Sequence, residues 1–360
     1  MKIIYKTALL LTILIAIFGI YTFVLFNNQT NKNEQFSQSS IDIKHKKPIN
    51  QKILQNDYHV FQSFNNCAPA ALSMLLSYFD IHKNQEELAD ELRPFHNRTG
   101  INDDKSTTPD ELAEKAKEYG LIPYYRVNGS IELLKQFIDN DIPILMRTLL
   151  SIDKEFPHYR VIKGYDDNSK EIIQDDSYEG KNLRFLYDDY LKLWQEFNYE
   201  YLVLVRPEQQ TTVKTILGKE FDSRVAWSNA KQRAIEELTT NPNDIRARFN
   251  LSISLYELGE YKLGVEEFEK IENKLPNSKL WYQIQPIQAY FELGKYDKVF
   301  SITNYILSGR NKAFSELYII RGESYLKQSN TVLAKEEFKK AVFYNKNLKH
   351  AKDALNTLSF

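Results

Sequence analysis

Apolar and polar positions change rhythm repeatedly along this chain. Thr7 to Phe26, TALLLTILIAIFGIYTFVLF, is twenty residues without a charge, long enough to span a bilayer core. Lys2, Lys6 and the amino terminus precede it, and the next basic residue is Lys32. That bias puts the amino terminus in the cytoplasm and the bulk of the chain outside, on the cell membrane. The run is long for a cleaved signal peptide and ends in FVLFNN without a small-x-small site. Residues 1–27 are therefore predicted to be a single-pass transmembrane signal-anchor. Residues 28–55, rich in Asn, Gln, Lys and Ser, are predicted to be a flexible linker.

From residue 56 to 207 the pattern is globular. After Cys67, Leu72, Leu75, Leu76 and Phe79 recur at helical spacing. NQEELADEL starts a second helix. TTPDELAEKAKEYG is a third, with Thr108 as N-cap, Pro109 in the first turn, Glu111 completing a capping box and Gly120 closing it. The periodicity then shortens. IPILMRTLL, HYRVIKGYDD, EIIQDD and YEYLVLVRP predict strands between turn residues. Helices followed by strands indicate an α+β domain with its sheet packed on a helix.

Residues 208–360 return to helical spacing and repeat. YELGEY begins at Tyr256, FELGKY at Phe291 and YLKQSN at Tyr325, offsets of 35 and 34 residues. Each lies between a helix and its successor. SNAKQRAIEELTT precedes the array and HAKDALNTLSF closes it. This array resembles the tetratricopeptide repeat in its period, its Gly-x-Tyr turns at Gly259–Tyr261 and Gly294–Tyr296, and small residues such as Ala289 and Ala341 at packing positions. The third unit is degenerate, with Gln328-Ser329-Asn330 at the turn, and Pro286 is expected to kink a helix of the second. One helix pair cannot bury its own apolar face, so stacked pairs share a core and form a groove. The resemblance implies either a peptide- or protein-binding groove or a scaffold for the neighbouring domain.

Composition narrows the function. The chain carries 47 Lys and Arg against 48 Asp and Glu, interspersed, for a net charge of −1. That gives no basic patch for nucleic acid. One cysteine in 360 residues excludes an intramolecular disulfide and any site needing two thiolates. His45, His59, His82 and His96 lack metal-ligand spacing, and GYDDNSKE lacks the glycine and terminal glutamate of a calcium loop. Neither a metal nor a cofactor is implied.

The remaining chemistry centres on Cys67 in QSFNNCAPAALSML. A lone cysteine is most often a small buried apolar side chain. Here, however, Asn65 and Asn66 can cap a helix that accepts Pro69 in its first turn, which places Cys67 where the helix dipole favours a thiolate. His158 opens a downstream strand, and Asp175 and Asp176 end the next, so a base and a carboxylate to orient it are available.

These residues resemble the papain-like cysteine peptidases that process bacteriocin leaders after a double glycine, over about residues 57–207. The likeness rests on QSFNNCAPAALSML, STTPDELAEKAKEYGL, HYRVIKGYDD and IIQDDSYEG, with a glycine six residues after the histidine. It implies Cys67 as nucleophile, His158 as general base and Gln62 as oxyanion donor. Asp176 is taken as the orienting acid, because DSYEG matches the family's Asp-Pro-x-x-Gly and the turn after the strand fixes register better than a hairpin of variable length; counting residues from His158 gives Asp175 as the alternative. Cys-Ala-Pro replaces the family's Cys-Gly-Pro, so Ala68 would strain the turn if that position needs positive φ. The expected fold is a papain-like α+β domain, an all-α tetratricopeptide-type domain and a transmembrane helix. The expected activity is hydrolysis of a peptide or protein substrate outside the cytoplasm. The alternative is an inactive relative that binds peptide or protein through its repeats. Leader-processing relatives act on the cytoplasmic side, fused to a transporter, so the resemblance does not name the substrate.

Overall fold

The computed structural model describes residues 50–95, 105, 107–276, 279–309 and 311–358. The expected anchor and most of the expected linker lie outside the described residues. Among the described residues no helix is long and apolar enough to cross a membrane. The described residues form one compact unit.

The sheet is antiparallel throughout. Its strands are β1 (Gln51–Ile53), β2 (Ile122–Arg126), β3 (Ile144–Ser151), β4 (Lys154–Asp166), β5 (Glu171–Asp176), β6 (Gly180–Leu186) and β7 (Tyr201–Val205), in the order β2-β7-β3-β4-β5-β6. β4 is the longest. Its first part pairs with β3 as far as Ile162, and its last residues pair with β1, Ile53 opposite Gly164. The linker expected to reach residue 55 therefore ends earlier, because Gln51–Ile53 satisfy their backbone groups on β4. Gly164 makes this possible: a Cβ there would lie 2.6 Å from the Lys52 carbonyl oxygen.

Side chains alternate across the sheet, and both faces are covered. Ile144, Met146, Ile162, Val203 and Val205 pack on one side with Leu134, Phe137 and Ile138 of α4 (Ile131–Asp139). Leu145, Val161, Leu202 and Leu204 pack on the other with Leu72, Leu75 and Leu76 of α1 (Cys67–Ser77) and Leu88 of α2 (Gln85–Leu92). A strand buried on both faces has few polar positions, which is why IPILM and YLVLV show no alternation. The sheet is thus sandwiched between helices rather than packed on one. α3 (Pro109–Lys117) starts with the expected Thr108–Glu111 capping box, and Gly120 follows it at φ 76°. α5 (Tyr187–Trp194) and α6 (Gln210–Leu217) complete this part.

The helical part runs α7 (Ser223–Thr240), α8 (Ile245–Glu257), α9 (Tyr261–Glu269), α10 (Gln285–Glu292), α11 (Tyr296–Leu307), α12 (Ser315–Lys327), α13 (Thr331–Tyr344) and α14 (Lys349–Thr357). Gly259, Gly294 and Ser329 occupy equivalent turns at φ 82°, 68° and 61°. The degenerate third turn keeps the same backbone with a serine. Pro286 does not kink a helix. α10 begins at Gln285, so the proline sits in the first turn, where its missing N–H has no partner to lose. The start imposed by Pro286 leaves the preceding segment outside α10, with only a short 3-10 turn at Lys279–Trp281. The two parts are joined by polar contacts: Arg246 Nε to Glu196 Oε2 at 2.7 Å, Lys105 Nζ to Glu316 Oε1 at 2.9 Å, and Asn347 Nδ2 donating to Glu91 O at 2.7 Å.

Candidate active site

Cys67 is the first residue of α1 and is partly exposed. The loop before it is fastened to the start of α2. Gln85 accepts from Ser63 N (2.8 Å) and donates to Phe61 O (2.8 Å), while Ser63 Oγ donates to Glu86 (2.9 Å). Asn66 holds the N-cap position, but its side chain does not cap the helix. Its amide donates instead to Ser63 Oγ at 2.9 Å. Asn65 takes the left-handed conformation, φ 59°. Ala68 lies inside the helix and not among the positive-φ residues, so alanine in place of glycine introduces no backbone strain. Its methyl group is buried in the core beneath the site.

β4 begins at Lys154, so His158 lies within the strand, opposite Thr148 of β3, rather than at its start. Asp176 ends β5 in register with Arg160. His158 Nε2 is 2.8 Å from Asp176 Oδ1. Cys67 borders the same cleft as the ring and adds to the upward shift of its pKa; with Nε2 taken by Asp176, Nδ1 is the ring nitrogen left over. Asp176 is fully buried and held from several sides. Its Oδ1 accepts from Tyr178 N (2.7 Å) and Glu179 N (3.0 Å), and its Oδ2 lies 2.9 Å from Arg160 Nε, an ion-pair contact off the hydrogen-bond direction. Asp175 faces away from the histidine. Its Oδ2 pairs with Lys163 Nζ at 3.0 Å, and its Oδ1 accepts from Asn182 N at 2.8 Å. Adjacent strand residues point to opposite faces, so only one of the two acids can face His158.

Arg160 is a residue that the sequence analysis did not single out. It is fully buried, and besides its ion-pair contact with Asp176 it donates hydrogen bonds to Leu149 O and Leu150 O, both at 2.8 Å, and to Thr148 Oγ1. Its signal was the two-residue spacing from His158, which puts both on one face of β4.

Gln62 borders the same cleft. Its backbone N donates to Ser177 O (2.8 Å), and its Oε1 accepts from Ser177 Oγ (2.8 Å). That bond fixes the amide's orientation and leaves Nε2, a donor, for the cleft. The structure therefore brings Cys67, His158, Asp176 and Gln62 together and sets Asp175 apart.

Electrostatics follow from these contacts. Burial lowers the pKa of His158, but the hydrogen bond to Asp176 and the neighbouring Cys67 outweigh it, and the net shift is upward. Burial raises that of Asp176, yet His158, Arg160 and the backbone donors bring it down to about 2. The carboxylate is thus ionised throughout the neutral range and favours an imidazolium beside it.

The cleft encloses about 540 Å³. Phe64, Phe156 and Tyr178 form an exposed aromatic rim. Trp281, Tyr282 and Asn311 border it from the helical part. Burial, with Cys67 nearby, pushes the Tyr282 hydroxyl up to about 12.

A cysteine at a helix N-terminus, facing a histidine and a carboxylate on neighbouring antiparallel strands, is a cysteine–histidine–carboxylate site on a mixed α/β domain, here followed by helical repeats. Residues 30–202 match the model of the Peptidase_C39 like family, so this segment is similar to that family, as its motifs implied. Among solved structures, one described as a C39-like peptidase from Bacillus anthracis is 18% identical, with 43% of this chain and 98% of that chain covered and a TM-score of 0.36. The peptidase domain of Streptococcus ComA, a bifunctional ABC transporter, is 18% identical, with 44% and 99% covered and a TM-score of 0.31. TTC0263, a tetratricopeptide repeat protein of Thermus thermophilus, is 19% identical, with 39% and 77% covered and a TM-score of 0.32. No curated protein matches the chain.

Proposed function

We propose that this protein is a cysteine peptidase, anchored by residues 1–27 with its remaining residues outside the cytoplasm. The observation that carries the reading is the convergence of Cys67, His158 and Gln62 on one cleft, with Asp176 buried behind the histidine and 2.8 Å from its Nε2. The aromatic rim supports a peptide ligand, because exposed apolar patches around a cleft mark binding surfaces.

In the proposed reaction, His158 takes the Cys67 proton and the thiolate attacks a peptide carbonyl carbon. A C–S bond forms, and the carbonyl π electrons move to oxygen. The Gln62 amide and the Cys67 backbone N–H stabilise that oxyanion. The oxyanion collapses, the C–N bond breaks, and the imidazolium protonates the leaving amine. Water, deprotonated by His158, then attacks the thioester. The C–S bond breaks, an acid is released, and the proton returns to the thiol. Asp176 holds the imidazole's orientation and stabilises its cationic form without taking its proton.

The test compares wild type with Cys67→Ala on a peptide library. Cleavage by wild type alone is expected, and equal product from both would sink the proposal. A thiol that labels only after unfolding, with peptide still retained, would favour a binding protein without turnover. For the anchor, protease added outside intact cells is expected to digest the chain beyond residue 55, and full protection would overturn that orientation.

A further inference from the structure

The repeat region lends side chains to the cleft, and one of them has an unusual environment. Asn311 precedes α12, is 2% exposed, and borders the cleft that holds Cys67 and His158. Neither its Oδ1 nor its Nδ2 has a hydrogen-bond partner among the described residues. A buried polar group without partners destabilises the fold. Such groups are rare enough in folded proteins to need an explanation.

Resting on the peptidase reading above, we propose that Asn311 is a substrate-binding residue that pairs with the backbone of an extended peptide lying in the cleft. A carboxamide carries one acceptor and two donors on one planar group. That set complements the N–H and C=O of a peptide residue, independent of its side chain. The side chain has no hydrogen-bond partner among the described residues, so a rotamer change that turns it into the cleft forfeits none of their bonds. Tyr282 and Trp281 line the same cleft and offer aromatic surface to a neighbouring peptide side chain. This surface is available because Pro286 starts α10 late and leaves residues 279–284 outside it. The repeats thereby become part of the substrate site rather than a separate module.

The test uses the full chain and two reagents that alkylate Cys67: iodoacetamide, and the fastest member of a tetrapeptidyl chloromethyl ketone library on wild type. Asn311→Leu keeps the side chain's volume and removes its polar atoms. Its reaction with the peptidyl reagent is expected to slow at least tenfold. Its iodoacetamide rate should stay within twofold, and its melting temperature should be unchanged or higher, since an unpaired buried amide is gone. A structural role would instead lower the melting temperature and slow both reagents alike. Either that result or an unchanged peptidyl rate would overturn the proposal. Tyr282→Ala should slow the peptidyl reagent while sparing iodoacetamide. Wild type that reacts with iodoacetamide in a His158-dependent way, but no faster with any peptidyl reagent, removes the Asn311 proposal and leaves the nucleophile. Alkylation that is indifferent to His158→Ala removes both.

Discussion

His158 and Asp176 meet across β4 and β5, with Nε2 2.8 Å from Oδ1, and Arg160 touches the other carboxylate oxygen at 2.9 Å. The carboxylate is therefore held between two bases on one strand face. It orients the imidazole while Arg160 keeps it ionised and immobile. Testable consequences follow from this and from the contacts around it.

Asp176→Asn should weaken the fold in a pH-dependent way. The folded pKa of Asp176 is depressed to about 2, against about 3.9 in an unfolded chain. The carboxylate thus contributes on the order of 2–3 kcal/mol above pH 4, lost as pH falls from 4 toward 2. Urea unfolding of wild type and variant between pH 6 and pH 2 should show their difference shrinking on acidification. A constant difference would contradict the assignment.

The same variant should move the alkaline limb of activity. The His158 pKa is raised, with Asp176 opposing the effect of burial. Stability from the imidazolium is present below the unfolded histidine pKa and lost as pH rises through the folded one. Without Asp176 that folded value falls, so the alkaline limb of kcat/KM should shift to lower pH. A pH–rate profile of both proteins checks this, and kcat should also drop as the ring loses its orientation.

Arg160→Met should destabilise by about 3–5 kcal/mol, since it leaves Asp176 buried with one fewer cation. Arg160→Lys should not restore stability, because one ammonium cannot reach Asp176 and the Leu149 and Leu150 carbonyls together. Denaturant midpoints of the three proteins decide.

Gly164→Ala should cost about 1–3 kcal/mol, because the new methyl would meet the Lys52 carbonyl at 2.6 Å. The penalty should largely vanish in a chain that begins at residue 54, where β1 is missing. An equal penalty in both chains would place the strain elsewhere.

Ser329→Gly should stabilise by about 0.5–1 kcal/mol, raising the melting temperature by roughly 2 °C. Serine there is held at φ 61°, where the equivalent Gly259 and Gly294 sit without strain. A lower melting temperature would show that the serine side chain outweighs its backbone strain.

Much of this was legible in local patterns. The capping box at Thr108, the limits of β5, the helix after Cys67 and the helical repeat period depend on neighbours within a few residues, and those interactions are written in consecutive positions. Local rules failed where a distant segment intervened. Asn66 can cap its helix by local rules, but its amide goes to Ser63, which Gln85 and Glu86 at the start of α2 hold in place. Residues 51–53 carry no strand signal of their own and become a strand because β4 offers an open edge beyond β3. The choice between Asp175 and Asp176 depends on strand register, which one sequence leaves ambiguous by a residue. Arg160 and Asn311 gained their roles only from burial. The chain's order alone therefore named the kinds of chemistry available and the elements that carry them. Which carboxylate faces the histidine, and which repeat side chains border the cleft, were decided by packing between segments far apart in the chain, because burial and register belong to the folded whole.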